Sequence, residues 1–119
     1  MDCIFCKIIK GEIPSYTVYE DNIVKVFLDI SPVENGHMLI IPKEHCLDID
    51  DIKLETITHI YEVAKKMHLL LKEKLNIDGM QVVQNNGTLE EVKHYHMHLI
   101  PHMDGELKDV KEIYELLTK

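Results

Sequence analysis

The chain has 119 residues, with 13 Lys plus Arg against 21 Asp plus Glu and a formal charge of −8. That length suits one domain, residues 1–119, able to bury a core without disulfide staples. The acidic balance argues against a broad electrostatic grip on nucleic acid or on an anionic membrane, so any anionic ligand must be small and locally held.

At the N-terminus, Met1-Asp2-Cys3-Ile4-Phe5-Cys6-Lys7 lacks the long apolar core of a signal peptide. No later segment approaches the roughly 18 apolar residues of a membrane span, which predicts a cytoplasmic protein. Three cysteines cannot all pair within one chain. In a reducing cytosol, Cys3-x-x-Cys6 is better read as a metal half-site or redox pair than as a disulfide.

Ile4, Phe5, Ile8 and Ile9 recur at helical spacing before Gly11, predicting a short helix. Val18–Glu20 and Ile23–Leu28 flank Asp21-Asn22 and read as a hairpin. After the turn at Glu34-Asn35-Gly36, the run His37–Ile41 predicts a central strand that Pro42 ends. Asp48, Asp50 and Asp51 offer capping acids before a long helix. Its apolar stripe runs through Leu54, Ile57, Ile60, Tyr61, Ala64, Met67, Leu71 and Leu75, and stops near Asn76. His59 and His68 fall on opposite sides of that helix and read as ordinary helix residues. Met80–Gln84 predicts a further strand, and Leu107–Leu117 a closing amphipathic helix. Together these elements imply an α+β domain with an antiparallel sheet, one long helix and shorter flanking helices.

The most informative stretch lies between the last two elements, from about Val92 to Pro101. If it is a strand, the period of two puts His94, His96 and His98 on one face and Tyr95, Met97 and Leu99 on the other. Packing alone explains such a row poorly, since each imidazole brings two polar nitrogens that must be satisfied. Three convergent imidazoles suit proton transfer, nucleophilic attack or metal binding.

Four segments carry a resemblance: Cys3–Pro14, Phe27–Pro32, Gly36–His45 and His94–Pro101. In this order they resemble the histidine-triad (HIT) family of nucleotide hydrolases and transferases, and within it the branch that hydrolyses purine nucleoside phosphoramidates. The resemblance implies a HIT-like fold, a homodimer whose sheets join across the interface, and a nucleotide site beside the triad. It implies that His96 is the nucleophile that attacks the α-phosphorus, and that His98 contacts the phosphate. By the same likeness Asp29 accepts from ribose hydroxyls and Asn85 binds phosphate. Phe5, Ile8, Ile13, Phe27 and Ile30 would form the apolar wall around the base, and His37 lies near the active site. Cys3, Cys6, His45 and His94 match the ligands of a zinc-binding subgroup, a closed and therefore structural set. Cys46 is more simply a buried free cysteine.

The chain departs from the family in the approach to the triad, Gly87-Thr88-Leu89-Glu90-Glu91-Val92-Lys93. It is about two residues short, with Glu90 where a glutamine usually stands and Glu91 where a serine does. A carboxylate about 4 Å from a phosphate oxygen costs roughly 4 kcal/mol at an effective dielectric near 20. Either Glu90 and Glu91 point away or the usual substrate binds poorly; the expectation is weakened turnover of ordinary adenosine phosphoramidates, partly restored by Glu90→Gln. His102, where many relatives carry arginine, reads as an exposed turn residue. The leading function is hydrolysis of nucleoside phosphoramidates or related activated bonds. The alternative is a zinc-stabilised nucleotide-binding or interaction protein whose acidic loop abolished useful turnover. An acyl or phosphodiester hydrolase lacks a convincing Ser or Cys nucleophile.

Overall fold

The computed structural model of the protein describes residues 3–119. Five antiparallel strands make one sheet in the order β1-β2-β3-β5-β4, with β1 Thr17–Glu20, β2 Val24–Leu28, β3 Met38–Pro42, β4 Gly79–Gln84 and β5 Met97–His102. Helices α1 (Ile4–Ile9), α2 (Leu54–Leu75) and α3 (Val110–Thr118) complete the expected α+β architecture. Alternation sorts the central strands between two cores. On one face Val24, Val26, Leu28, Met38 and Ile40 pack with Ile60, Val63, Met67 and Leu71 of α2 and with Ile113 and Leu117 of α3. On the other, Phe27, Leu39 and Ile41 pack with Phe5 and Ile8 of α1. Lys25, on that second face and nearly buried, donates from Nζ to the Ile8 carbonyl at 3.2 Å and ties the end of α1 to the sheet.

The hairpin turn does more than reverse the chain. Asp21 accepts from the Ile23 and Val24 amides through Oδ1 at 2.8 and 2.9 Å, and from the Tyr19 hydroxyl through Oδ2 at 2.8 Å. His59 Nε2 reaches the same Oδ2 at 2.7 Å, so this histidine is no ordinary helix residue but a staple from α2 to the hairpin. The α2 stripe has the expected period, yet Leu54 and Tyr61 at its margins are exposed. Nor do the acids before α2 cap it. Its N-cap, Lys53, makes no side-chain bond, while Asp51 accepts from the Leu47 and Asp48 amides inside the loop. Local amides three or four residues away outcompete a helix end for such a short side chain.

Gly36 lets the β3 strand approach α2. Its φ is +84°, and a Cβ there would lie 2.9 Å from both Leu71 Cδ2 and Leu75 Cδ1, a conformation and a closeness that glycine alone tolerates cheaply.

The strand expected from Val92 to Ile100 is displaced towards the C-terminus: β5 starts at Met97 and continues through Pro101 to His102. Upstream, Tyr95 N bonds the Cys46 carbonyl at 2.8 Å and His94 N bonds the Val92 carbonyl at 2.8 Å, so residues 92–96 bend across the end of β3 instead of pairing with it. At the far end, pairing with β3 stops at Met38↔Leu99, whereas pairing with β4 continues to Gly79↔His102. The His102 carbonyl faces that side, accepting from Asp78 N at 2.9 Å. By alternation the missing N–H of Pro101 falls on the open side, where no ladder bond is lost.

Candidate functional site

The displaced strand start divides the three histidines. His98 sits within β5 opposite Leu39 of β3, which puts it on the α1 face of the sheet. His94 and His96 lie on the bend before it, the first fully buried and the second 4 % exposed. Tyr95, Met97 and Leu99 enter the opposite core as the period of two requires.

His94 belongs to a cluster of four metal-ligating side chains with Cys3, Cys6 and His45. Its Nε2 lies 2.9 Å from the Pro42 carbonyl, which can only accept. Nε2 therefore carries the proton and Nδ1 presents a lone pair. That Nδ1 is 3.3 Å from Cys3 Sγ, 3.6 Å from Cys6 Sγ and 3.1 Å from His45 Nδ1, and Cys6 Sγ is 3.3 Å from His45 Nδ1. Donors held about 2.0–2.3 Å from a tetrahedral ion lie roughly 3.3–3.8 Å apart, and the four atoms, all within 4.8 Å of one another, come close to the spacing of a closed zinc set. Local structure prepares half of it. Cys3 is the N-cap of α1 and its Sγ accepts from Cys6 N at 3.3 Å, which turns both sulfurs to one helix end. Cys46 stays outside the cluster, buried, its thiol pushed up to about 11 by that burial.

His96 and His98 are set by a different pair of hydrogen-bond chains. His96 Nδ1 bonds the His94 carbonyl at 2.8 Å, so Nδ1 holds the proton and Nε2 is left with a free lone pair. For His98 the chain begins at the backbone. Val33 N donates to His37 Nδ1 at 3.3 Å, so His37 carries its proton on Nε2, which lies 3.0 Å from His98 Nδ1. His98 is then an acceptor at Nδ1 and a donor at Nε2. The rings of His96 and His98 meet edge to face at 5.0 Å. Burial holds both His37 and His98 below the ordinary histidine value, so each is neutral at pH 7; for His98 the charges of His96 and His37 push the same way. Asp29 Oδ2 is 3.6 Å from His37 Nε2, and its Oδ1 accepts from Ser31 N at 2.8 Å.

These groups open into a cleft of about 530 Å³. Every residue expected around a nucleotide lines it: Phe5, Ile8, Ile13, Phe27, Ile30, Asp29, Asn85 and His98, together with His96 and His37. Ile30 is 79 % exposed and forms the rim of this wall. Phe5 packs edge to face against both His94 and His96, at 5.8 and 5.1 Å between centroids, and so joins the cleft to the cysteine and histidine cluster. The bond between His37 and His98 spans 61 positions, and no local spacing in the sequence announces it.

The two approach glutamates part company. Glu91 lines the cleft, but Glu90 does not. Glu90 is 4 % exposed, and neither carboxylate oxygen has a hydrogen-bond partner. Burial pushes its carboxyl above the usual range. Of the two approach acids, Glu90 points away from the cleft, buried directly after the Gly87–Leu89 3-10 turn, and Glu91 does not. His102 ends β5 rather than a turn, and pairs at the surface with Asp78 at 2.7 Å.

Comparison with known proteins places these features in context. A HIT domain family model matches residues 10–105. An uncharacterized HIT-like protein of Methanocaldococcus jannaschii is 45 % identical over 111 residues, 92 % of this chain and 85 % of the relative. An adenosine 5'-monophosphoramidase of Saccharomyces cerevisiae is 46 % identical over 104 residues, 86 % of this chain and 63 % of that enzyme. Among solved structures, a zinc-bound histidine triad family protein from Mycobacterium smegmatis superposes with a TM-score of 0.91 at 34 % identity, covering 99 % of this chain and 91 % of the other.

Proposed function

The chain belongs to the HIT family, and from that premise we propose that it hydrolyses purine nucleoside 5'-phosphoramidates through His96. The observation that carries this reading is the pair of tautomers: a free lone pair on His96 Nε2 beside an N–H on His98 Nε2, in one cleft. A neutral imidazole nitrogen is a good nucleophile, and a covalent intermediate divides one difficult displacement into two easier ones. In the first step the bond from Nε2 of His96 to phosphorus forms as the P–N bond breaks. Its electron pair leaves on the amine, which takes one proton from His98. The imidazolium formed on His96 offsets the charge left on His98. In the second step water attacks phosphorus, the bond to His96 breaks, and the water's proton returns to His98 as nucleoside monophosphate departs. Asp29 would hold the ribose and Asn85 the phosphate, with Phe5, Ile8, Ile13, Phe27 and Ile30 around the base. The phosphoramidase activity named for the yeast relative supports the substrate class.

Cys3, Cys6, His45 and His94 would hold a structural zinc ion, which adds no chemistry to the step and fixes the bend that carries His96. The donor set and the zinc-bound neighbour support this. The same reading includes a homodimer joined through β4, an edge strand with one side unpaired and Val82 exposed. Sedimentation giving a monomer at micromolar concentration would remove that element. The central test is a fluorogenic adenosine phosphoramidate offered to wild type and His96→Asn. Turnover should fall by roughly three orders of magnitude or more in the variant. Tight nucleotide binding without turnover in either protein would favour the binding-module reading.

A further inference from the structure

The charge inventory of the cleft is unusual for a site that handles phosphate. Among the described residues that line it there is no lysine or arginine, while two carboxylates, Asp29 and Glu91, do line it. The nearest lysine on the approach, Lys93, donates instead to the Gly87 carbonyl at 2.6 Å. Asp29 is anchored by Ser31 N and faces His37. Glu91 has no hydrogen bond or ion pair with any described residue. It is an exposed carboxylate at the mouth of the cleft, close enough for its charge to favour the proton on His98.

A phosphoramidate of a nucleoside carries one negative charge at phosphorus, and Glu91 adds a second beside it with no basic side chain to offset either. Like charges held together without a counterion are unfavourable, and the simplest relief is a cation brought by the substrate. The nucleoside end offers none. The leaving amine can, because in-line displacement sends it to the side of phosphorus away from His96, in the cleft that His98 and Glu91 both line.

We propose that Glu91 is a specificity residue that selects phosphoramidates whose leaving amine bears a second, cationic group. This rests on the hydrolase reading above and adds to it the class of leaving group. Glu91 makes an ion pair with the departing half of the substrate and takes no part in the bond changes themselves. An exposed pair of this kind supplies about fivefold in affinity, and salt weakens it.

The test uses three adenosine 5'-phosphoramidates of matched size whose amine ends in an ammonium, a hydroxyl or a carboxylate. Wild type should turn them over in that order of kcat/KM, with about fivefold between neighbours at low salt. Added salt should compress the order, Glu91→Gln should flatten it and Glu91→Lys should invert it. Equal rates for all three in wild type, or an unchanged order in Glu91→Gln, would overturn the assignment. If wild type turns over none of them, the hydrolase reading fails instead. The order is then read from Kd for the same compounds, where equal affinities overturn the role of Glu91.

Discussion

Histidine 98 shows how a single ring acquires a role from its neighbours. An isolated neutral imidazole can hold its proton on either nitrogen, and the two forms differ in what they offer a substrate. Here a backbone amide, Val33 N, selects the tautomer of His37, and His37 selects that of His98. His37→Ala removes the selector, and kcat/KM should fall by up to about a hundredfold, the low end of what a positioned general acid supplies. Nucleotide Kd should move far less, and steady-state kinetics beside calorimetry measure both. The same burial has a consequence for pH. His37 and His98 lie below their ordinary value of 6.5 in the folded protein. Their contribution to stability is therefore complete above that value and is lost as pH falls below it, because the unfolded chain takes up the protons first.

At the level of elements, the short approach to β5 sorts two adjacent acids into different environments. Glu91 reaches the cleft, whereas Glu90 is sealed under the turn with both oxygens unpartnered. A buried polar group without a partner costs about 1–3 kcal/mol. Glu90→Met should raise stability by about that amount in urea denaturation at pH 7, and kcat/KM should stay at the wild-type level. A large gain in turnover would mean that Glu90 does reach the phosphate. The raised carboxyl also makes Glu90 least costly in acid. Below the unfolded value, near 4.5, it is protonated in both states. As pH rises through the folded value, the charge must be held in a dry site and stability falls. On α2, the period of the stripe was readable from the sequence, but the His59 staple to Asp21 was not, since helical spacing says nothing about what stands opposite a polar position.

Over the whole molecule, the cysteine–histidine cluster and the cleft meet at one bend of chain. His94 anchors residues 92–96 to the cysteine-bearing N-terminal helix and to His45, and two residues later His96 faces the cleft. Metal content and site geometry should therefore be coupled. Protein purified without chelator should contain one zinc per chain. Cys6→Ser should lose it and, with it, several kcal/mol of stability, since binding free energy in such sites is folding free energy. Elemental analysis and thermal melts check this, and an unchanged melting temperature in a metal-free variant would separate the cluster from the fold. No helix among the described residues is long and apolar enough to cross a membrane.

By itself the sequence determined the α+β class and the order of the elements, and its motifs singled out residues that the fold gathers around one cleft. Periodicity records which residues face a core, and four ordered motifs mark which side chains share a family's cleft. Tertiary structure alone decided what those side chains are to one another. It bent the triad out of its strand, because Cys46 and Pro42 supply the backbone partners that pull residues 92–96 aside. It chose tautomers through carbonyls and an amide distant in sequence, and it buried one glutamate while presenting the next. Hydrophobic period is a property of neighbours along the chain. A proton's position on an imidazole, or the exposure of a carboxylate, is fixed by atoms that only folding brings near.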